Sequence, residues 1–471
     1  MTDSPVVAVH RTPSTAYELE AVRAAVRDVA RQLGWTGDAA GGGAFRALLP
    51  VGARVLVKPN LVLHANQGPW GIEPLFTQVS VIRAVVEELL ASGAARVIVG
   101  DAPLQECRFE ELLEVSGLGA WATELSAREP RFVGPMDYRR TKAQLSNALR
   151  VEQEGLLPLD RFVLFDLAEQ SLLEPIAADG NFRVTQYPPA ELARTHGPGR
   201  HQYLVYRDVI DADVVVNLPK LKTHKKAGVT CALKNLIGIN GNKEYLPHHR
   251  LGGSADGGDC YPGEDPVKRA LESAYDQANS TRSLALRRVI GVGTRALNRV
   301  LHMQGDELGV EGSWSGNDTI WRTCLDLNRI LLYGRTDGTL ANDRQRRVVH
   351  IVDAIVGGQG DGPLRAEPLE MGLVLAGESA AAVDLVGALL LGYDPQRIPI
   401  VSHAFGDFPW PLTDFGPEDV LVTGALGIGA ASTLVRPVAP PDTLHIPAGW
   451  RDAMAHMSPP AHAEDHAALP G

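Results

Sequence analysis

The chain reads as an α/β protein: mostly parallel sheets with flanking helices, arranged as two α/β lobes plus helical insertions. Three observations predict this. Short runs such as Ala53–Val57 and Ala95–Val99 are dominated by Val, Leu and Ile, as buried strands are. Strand, loop, helix, Gly and strand follow one another between residues 53 and 101, a βαβ unit that implies a parallel pair. A second α/β stretch begins at Val348.

Taken in order, Val6–Val9 predicts a short strand. Tyr17–Leu33 predicts a helix, with Leu19, Val22, Val26 and Ala30 near one face. Residues 37–43 are Gly-rich and predict a loop. Ala53–Asn60 is a strand that Pro59 must end or place at an edge. Thr77 opens a helix to about Ser92, Gly93 closes it, and Ala95–Asp101 is the next strand. A helix at Phe109–Val115 and strands at Phe162–Phe165 and Val214–Asn217 follow. Residues 252–263 are rich in Gly and Asp and predict a loop. Helical periodicity returns at 266–279, 283–302 and 318–333, with Asp318 as the expected N-cap of the last. Val348–Asp353 and Gly372–Ala376 predict strands, Gly357–Gly362 a Gly-rich turn, and Ser379–Leu391 a helix.

This ordering divides the chain into four parts. Residues 1–210 form an N-terminal α/β lobe with an insertion. Residues 211–335 form a Lys- and His-rich site segment with a helical insertion, and 336–435 a C-terminal α/β portion. Residues 436–471 form a flexible tail rich in Pro, Ala and His.

At 471 residues the chain can bury a large core without a disulfide or metal staple. Its net charge of −11 argues against a nucleic-acid partner. No apolar run is long enough to span a bilayer, and Met1–Tyr17 has no signal-like pattern, so a cytoplasmic protein without a membrane partner is expected. The four cysteines, Cys107, Cys231, Cys260 and Cys324, show no C-x-x-C spacing, which excludes a zinc ribbon or a ferredoxin-type cluster. No iron–sulfur cluster is expected. Nothing in the sequence specifies an oligomeric state.

The basic residues are unevenly chosen. Only nine are Lys against 36 Arg, and six of the nine lie between Lys220 and Lys243. The Arg excess, with abundant Ala and Gly, is what GC-rich codons produce; the Lys cluster does not follow from it. The cluster comes directly after a predicted strand, where open α/β sheets bind ligands. Lys220, Lys222 and Lys234 there, with Lys58 at the end of an earlier strand, suit a phosphate or carboxylate. Asn60, Asn217, Thr223 and Asn235 are the neighbouring polar candidates for substrate binding. His224, Lys234, His248 and His249 are the candidate acid–base or nucleophilic groups. Asp101 and Asp353 end strands and are the candidate ligands of a divalent metal. The competing reading of the Lys cluster is a solvated basic loop. The competing reading of Asp384, mid-helix in an apolar setting, is a structural cap. Gly357–Gly362 could bring backbone N–H groups to an anion, and Trp314 and Trp321 could line a pocket or pack helices.

Together these motifs resemble the domain of unknown function 362 family. The carrying residues are VLVKPN (Val55 to Asn60), VIVGDAP (Val97 to Pro103), NLPKLKTH (Asn217 to His224) and ALKNLIG (Ala232 to Gly238). EGSWSGNDTIWR (Glu311 to Arg322), VDAIVGGQGDGP (Val352 to Pro363) and AAVDLVGALLLGYDP (Ala381 to Pro395) complete them. Some members of that family carry an appended ferredoxin module, whose cysteines are absent here. A weaker similarity is to the nickel-pincer lactate racemase family, through Ala212-Asp213, His224, Gly228, Lys234, Pro247 and His248 or His249. That resemblance implies His and Lys groups around a metal cofactor and acting as acid–base pairs. The family's early metal-binding His has no counterpart near Gly100-Asp101.

Three functions follow as expectations. The first is an enzyme acting on a small anionic molecule by Lys and His acid–base chemistry, with or without a divalent metal. The second is a racemase- or epimerase-like proton transfer with a metal cofactor, using His224 and His249 on opposite faces of the substrate. The third is a non-catalytic carrier of an anion or metal.

Overall fold

The structure, a computed structural model, describes residues 4–37, 42–146, 149–154, 157–185, 187–440 and 443–454. Its centre is a mixed sheet of eleven strands among these residues. They are β1 (Val6–Arg11), β2 (Arg54–Pro59), β3 (Arg96–Asp101), β4 (Phe132–Asp137), β5 (Val214–Leu218), β6 (Lys220–His224), β7 (Gly228–Thr230), β8 (Arg347–Gln359), β9 (Glu367–Gly377), β10 (Leu421–Gly424) and β11 (Gly429–Ala430). The main row runs β11-β10-β1-β9-β8-β5-β2-β3-β4, and β6 pairs with β8 and β7 beside it. Neighbours from β8 through β5, β2 and β3 to β4 are parallel, while β9 is antiparallel to both β1 and β8. The early and late α/β stretches thus feed one sheet: β8, late in sequence, inserts beside β5.

The apolar runs form strands because both faces are covered. Val55, Val57, Val97, Val99, Val214 and Val216 face one layer, where α1 (Leu19–Gln32), α2 (Val79–Ala91), α3 (Phe109–Val115) and α4 (Leu118–Arg128) pack. Leu56, Ile98 and Val215, at the alternate positions, face the insertion built around residues 162–212. The strands Phe162–Asp166 and Arg200–Tyr206 pair there in a separate small sheet. A third apolar cluster buries β1, β8 and β9 side chains against α5 (Ala232–Asn235), α8 (Ile320–Tyr333) and α9 (Ala380–Leu390).

Two further helices, α6 (Pro266–Ser280) and α7 (Leu284–Met303), pack on each other at the periphery. Asp265 caps α6 by accepting from the N–H groups of Val267 and Lys268, and Ser283 caps α7. Beneath them is a small cluster of Cys260, Tyr261, Leu271, Leu301 and Val310. The other face of α7 leaves Leu284, Val289, Val292 and Met303 exposed. No helix among the described residues is long and apolar enough to cross a membrane.

Several local expectations need correction. The Lys-rich segment is no solvated loop: Lys220, Leu221, Lys222 and Thr223 form the fully buried core of β6. The Gly-rich turn begins later than its composition suggests, because Gly357 and Gly358 lie within β8. A Cβ at Gly358 would stand 2.7 Å from the Lys222 Cβ, so these glycines let two strands approach rather than cradle an anion. The N-cap residue of α8 is Thr319, without a side-chain cap bond; Asn317 Oδ1 accepts from the N–H groups of Thr319 and Ile320, and Asp318 pairs with Arg322 at 3.0 Å. Part of the predicted loose tail is packed: Trp450 is buried and donates to the Lys225 carbonyl, and Tyr393 bridges to Met454. Residues 441–442 and 455–471 of that tail, and 38–41 of the early loop, lie outside the described residues.

Candidate functional site

A cavity of about 900 Å³ opens beyond the carboxyl ends of β2, β3 and β6. Strand ends supply Lys58, Asn60, Asp101, Lys222 and His224 to its lining. The segment after β6 adds Lys225, Lys226, Thr230, Lys234, Asn235, Lys243 and His248, and Glu311 comes from before α8. Loop residues including His64, Gln105 and Arg108 complete the wall. Carboxyl ends of strands collect side chains from distant parts of the sequence, which is why such crevices hold ligands.

One wall is fixed by polar side chains. Lys58 is buried and pairs with Asp101 at 2.7 Å, while its Nζ also donates to Asn235 Oδ1 at 2.9 Å. Asn60 donates to the same Asn235 oxygen, and Asn235 donates to Asn217 Oδ1 at 2.7 Å. Burial pushes the Lys58 ammonium down and the Asp101 carboxyl up, and each opposes the other's shift. The backbone of Gly238 lies on this pair: a Cβ there would meet Asp101 Oδ1 at 2.1 Å. Asn217 does not line the cavity; it donates to the Ala232 carbonyl and contacts His350 Nδ1 at 3.1 Å.

Positive charge in the cavity exceeds its local compensation. Glu311 pairs with Lys225 at 2.9 Å and with Lys226 at 3.7 Å, and Lys226 first among its neighbours holds the carboxyl down at about 2. Lys222, Lys234 and Lys243 have no ion-pair partner among the described residues. Burial lowers all three, and like charge adds to it at Lys222, from Lys220 and Lys234, and at Lys243, from Lys234. Lys243 is lowered to about 8. Lys222 donates to the Leu75 carbonyl. Lys234 sits on α5, whose N-terminal Ala232 and Leu233 N–H groups are capped by Asp384. Burial raises that carboxyl to about 7.

Two of the histidines that line the cavity, His224 and His248, hold opposite tautomers. His224 Nδ1 accepts from the N–H groups of Lys226 and Ala227 at 3.0 and 3.2 Å, so a neutral ring carries its proton on Nε2. His248 Nδ1 lies 2.6 Å from the Leu246 carbonyl and donates to it, which leaves Nε2 as an acceptor. Burial and the surrounding lysines push both rings well below the ordinary His value, so both are neutral at pH 7.

Other predicted site residues lie elsewhere. Lys220 is fully buried outside the cavity lining. It pairs with Asp353 at 2.6 Å and donates to the Tyr17 hydroxyl, which itself donates to Asp353. Thr223 donates to the Gly360 carbonyl. Asp101 and Asp353, the expected metal ligands, are each held against their own lysine. His249 also lies outside the cavity lining. One of its ring nitrogens instead falls within 4.8 Å of ligand atoms of Cys260 and Glu272, both buried. This trio could coordinate a divalent metal. Trp314 donates to the Asp259 carbonyl and Trp321 stacks on His403, so both pack structure rather than line the cavity.

Lys225, Lys226, Lys243 and Glu311, outside the expected site residues, also line the cavity. The first three were visible in the Lys cluster, and Glu311 opens one of the family motifs. His64 and Arg108 carried no sequence signal.

The family described as Domain of unknown function (DUF362) matches residues 55–153 and 164–389. The chain is also similar to the thylakoid-associated protein sll1697 of Synechocystis sp., with 23% identity over 389 residues, covering 83% of this chain and 76% of that protein. Two solved structures are similar at 11% identity: a protein of Thermotoga maritima, with a TM-score of 0.37, and the lactate racemase apoprotein of Thermoanaerobacterium thermosaccharolyticum, with 0.31. They cover 81% and 82% of this chain, which spans 60% and 57% of their own lengths.

Proposed function

The chain belongs to the DUF362 family, and from that premise we propose that it is an enzyme acting on a small phosphate- or carboxylate-bearing molecule by lysine and histidine acid–base chemistry. One observation carries this reading. Two buried lysines, Lys222 and Lys234, and the partly buried Lys243, none with an ion-pair partner among the described residues, line the same cavity as two neutral imidazoles, one presenting N–H and the other a lone pair. An arriving anion supplies the counter-charge that Lys222, Lys234 and Lys243 lack. The His248 Nε2 lone pair takes a proton from the substrate. The charge left behind is stabilised by the Lys234 ammonium and by His224 Nε2–H, and the proton returns from His248. Lys58, Asn60 and Asn235 hold the wall against which the substrate lies.

A thermal-shift screen with phosphate esters and hydroxy acids tests the binding half. A ligand that raises the melting temperature of the native chain, and fails to do so for Lys234→Met, supports the site. The chemical half is tested by incubating that ligand in D2O and measuring deuterium incorporation by mass spectrometry. Native protein is expected to exchange a carbon-bound hydrogen, and His248→Asn to slow it by about 100-fold or more. Binding with neither exchange nor turnover assigns the cavity to a carrier and overturns the enzyme reading. Interconversion of enantiomers during exchange would place the reaction in the racemase class.

A further inference from the structure

We propose that His249, Cys260 and Glu272 hold a structural divalent ion of the zinc type, behind the cavity wall and independent of the chemistry in the cavity. The three side chains come from separate elements: a short strand pairing His249 with Arg183, the Gly-rich loop 252–263, and α6. Their ligand atoms lie within 4.8 Å of one another, and all three residues are at least nine-tenths buried. Donor atoms around a tetrahedral zinc stand about 3.3–3.8 Å apart, so a small inward movement closes the site.

Two donor atoms of this cluster meet no partner in hydrogen-bond geometry, although Glu272 faces both the Cys260 thiol and the Tyr261 hydroxyl. His249 Nδ1 and Glu272 Oε2 are buried with no hydrogen-bond partner, and the hydroxyl of neighbouring Tyr261 is in the same state. Buried polar atoms are rarely left so, and a cation answers the nitrogen and the carboxylate oxygen at once. One nitrogen, one sulfur and one oxygen donor select a zinc-type ion over magnesium or calcium, which prefer oxygen alone. The surrounding hydrogen bonds orient the donors. Glu272 Oε1 accepts from the Gly252 N–H at 3.1 Å, and the Cys260 backbone is held by Gly252 and Gly312 at 3.0 Å on either side.

The placement gives the ion a task. The loop and the α6–α7 pair rest on a small apolar cluster, so a covalent-strength staple adds fixity where burial supplies little. His248 precedes His249 and Glu311 precedes Gly312, and both line the cavity. Tying His249 to Cys260 and α6 therefore anchors that side of the cavity wall.

The test uses full-length protein without an affinity tag, stripped with a chelator and titrated with cobalt(II) as the probe. A thiolate-to-cobalt charge-transfer band saturating near one equivalent is expected, together with a melting temperature raised by at least about 2 °C. Cys260→Ser should abolish the band, and Glu272→Gln should weaken cobalt binding at least about tenfold. Lys234→Met, which disables the cavity, should leave the band intact, so the two readings fail separately. A folded native chain that gives no band overturns the proposal, and so does a band that survives in Cys260→Ser. If the variants do not fold, the titration of the native chain decides alone.

Discussion

Burying an ammonium group costs several kcal/mol unless a counter-ion accompanies it, and Lys220 and Lys234 resolve this differently. Lys220 has Asp353, the Tyr17 hydroxyl and the Val356 carbonyl as partners. Removing its charge strands a buried carboxylate. Lys220→Met is expected to destabilise the fold by about 3–5 kcal/mol in urea denaturation while leaving ligand affinity at permissive temperature unchanged. Lys234 has Lys222 and Lys243 for neighbours and an open cavity before it. Lys234→Met should therefore leave stability unchanged or raise it, and lose ligand binding. If both variants lost stability equally, the division between a structural and a ligand-facing lysine would be wrong.

At the scale of elements, β6 is the informative strand. Its sequence, Lys-Leu-Lys-Thr-His, is polar at every position but one, which by itself describes a solvated segment rather than a core strand. Both faces are buried instead: Lys220 turns to Asp353, Thr223 to the Gly360 carbonyl, and Lys222 and His224 to the cavity. Only the neighbouring β8, whose glycines permit the close approach, makes that burial feasible. The short α5 depends on a similar long-range partner, since Asp384 of α9 caps it. With its carboxyl raised to about 7 by burial, Asp384 binds its proton more tightly in the folded than in the unfolded chain. Its contribution is fully present below about pH 4 and is lost as pH rises through about 7. Asp384→Asn is expected to flatten this fall, measured as the difference between urea-unfolding free energies of the two proteins from pH 4.5 to 8. Parallel curves would show that the carboxyl titrates normally.

Across the whole molecule, a chain of net charge −11 surrounds a cavity in which cations predominate. A cationic cavity in an acidic chain favours selective capture of an anion over general adhesion to polyanions. Because Lys243 titrates near 8 in the free protein, anion affinity should fall as pH rises through that value. In Lys243→Met the break near pH 8 should disappear and affinity at pH 7 should drop. Calorimetry in buffers of different ionisation enthalpy should also show proton uptake on binding by the native chain. An affinity independent of pH between 7 and 9 would remove Lys243 from the site.

Local patterns in the sequence determined most of the elements. Apolar runs and 3.6-residue periodicity located β1, β2, β3, β5, α1, α2 and α9 because those signals depend on residues close together in the chain. The concentration of lysine between Lys220 and Lys243, against a strong preference for arginine, marked the segment that lines much of the cavity. Tertiary structure decided the order of strands, and with it the environment of each charge. Lys58 meets Asp101 and Lys220 meets Asp353 across long stretches of sequence, whereas Lys222, Lys234 and Lys243 line one cavity without an ion-pair partner among the described residues. The physical reason is that an ammonium group's role is set by dielectric and by neighbours within a few ångströms. Those neighbours are brought together by parallel strand pairing, which leaves no trace in local periodicity.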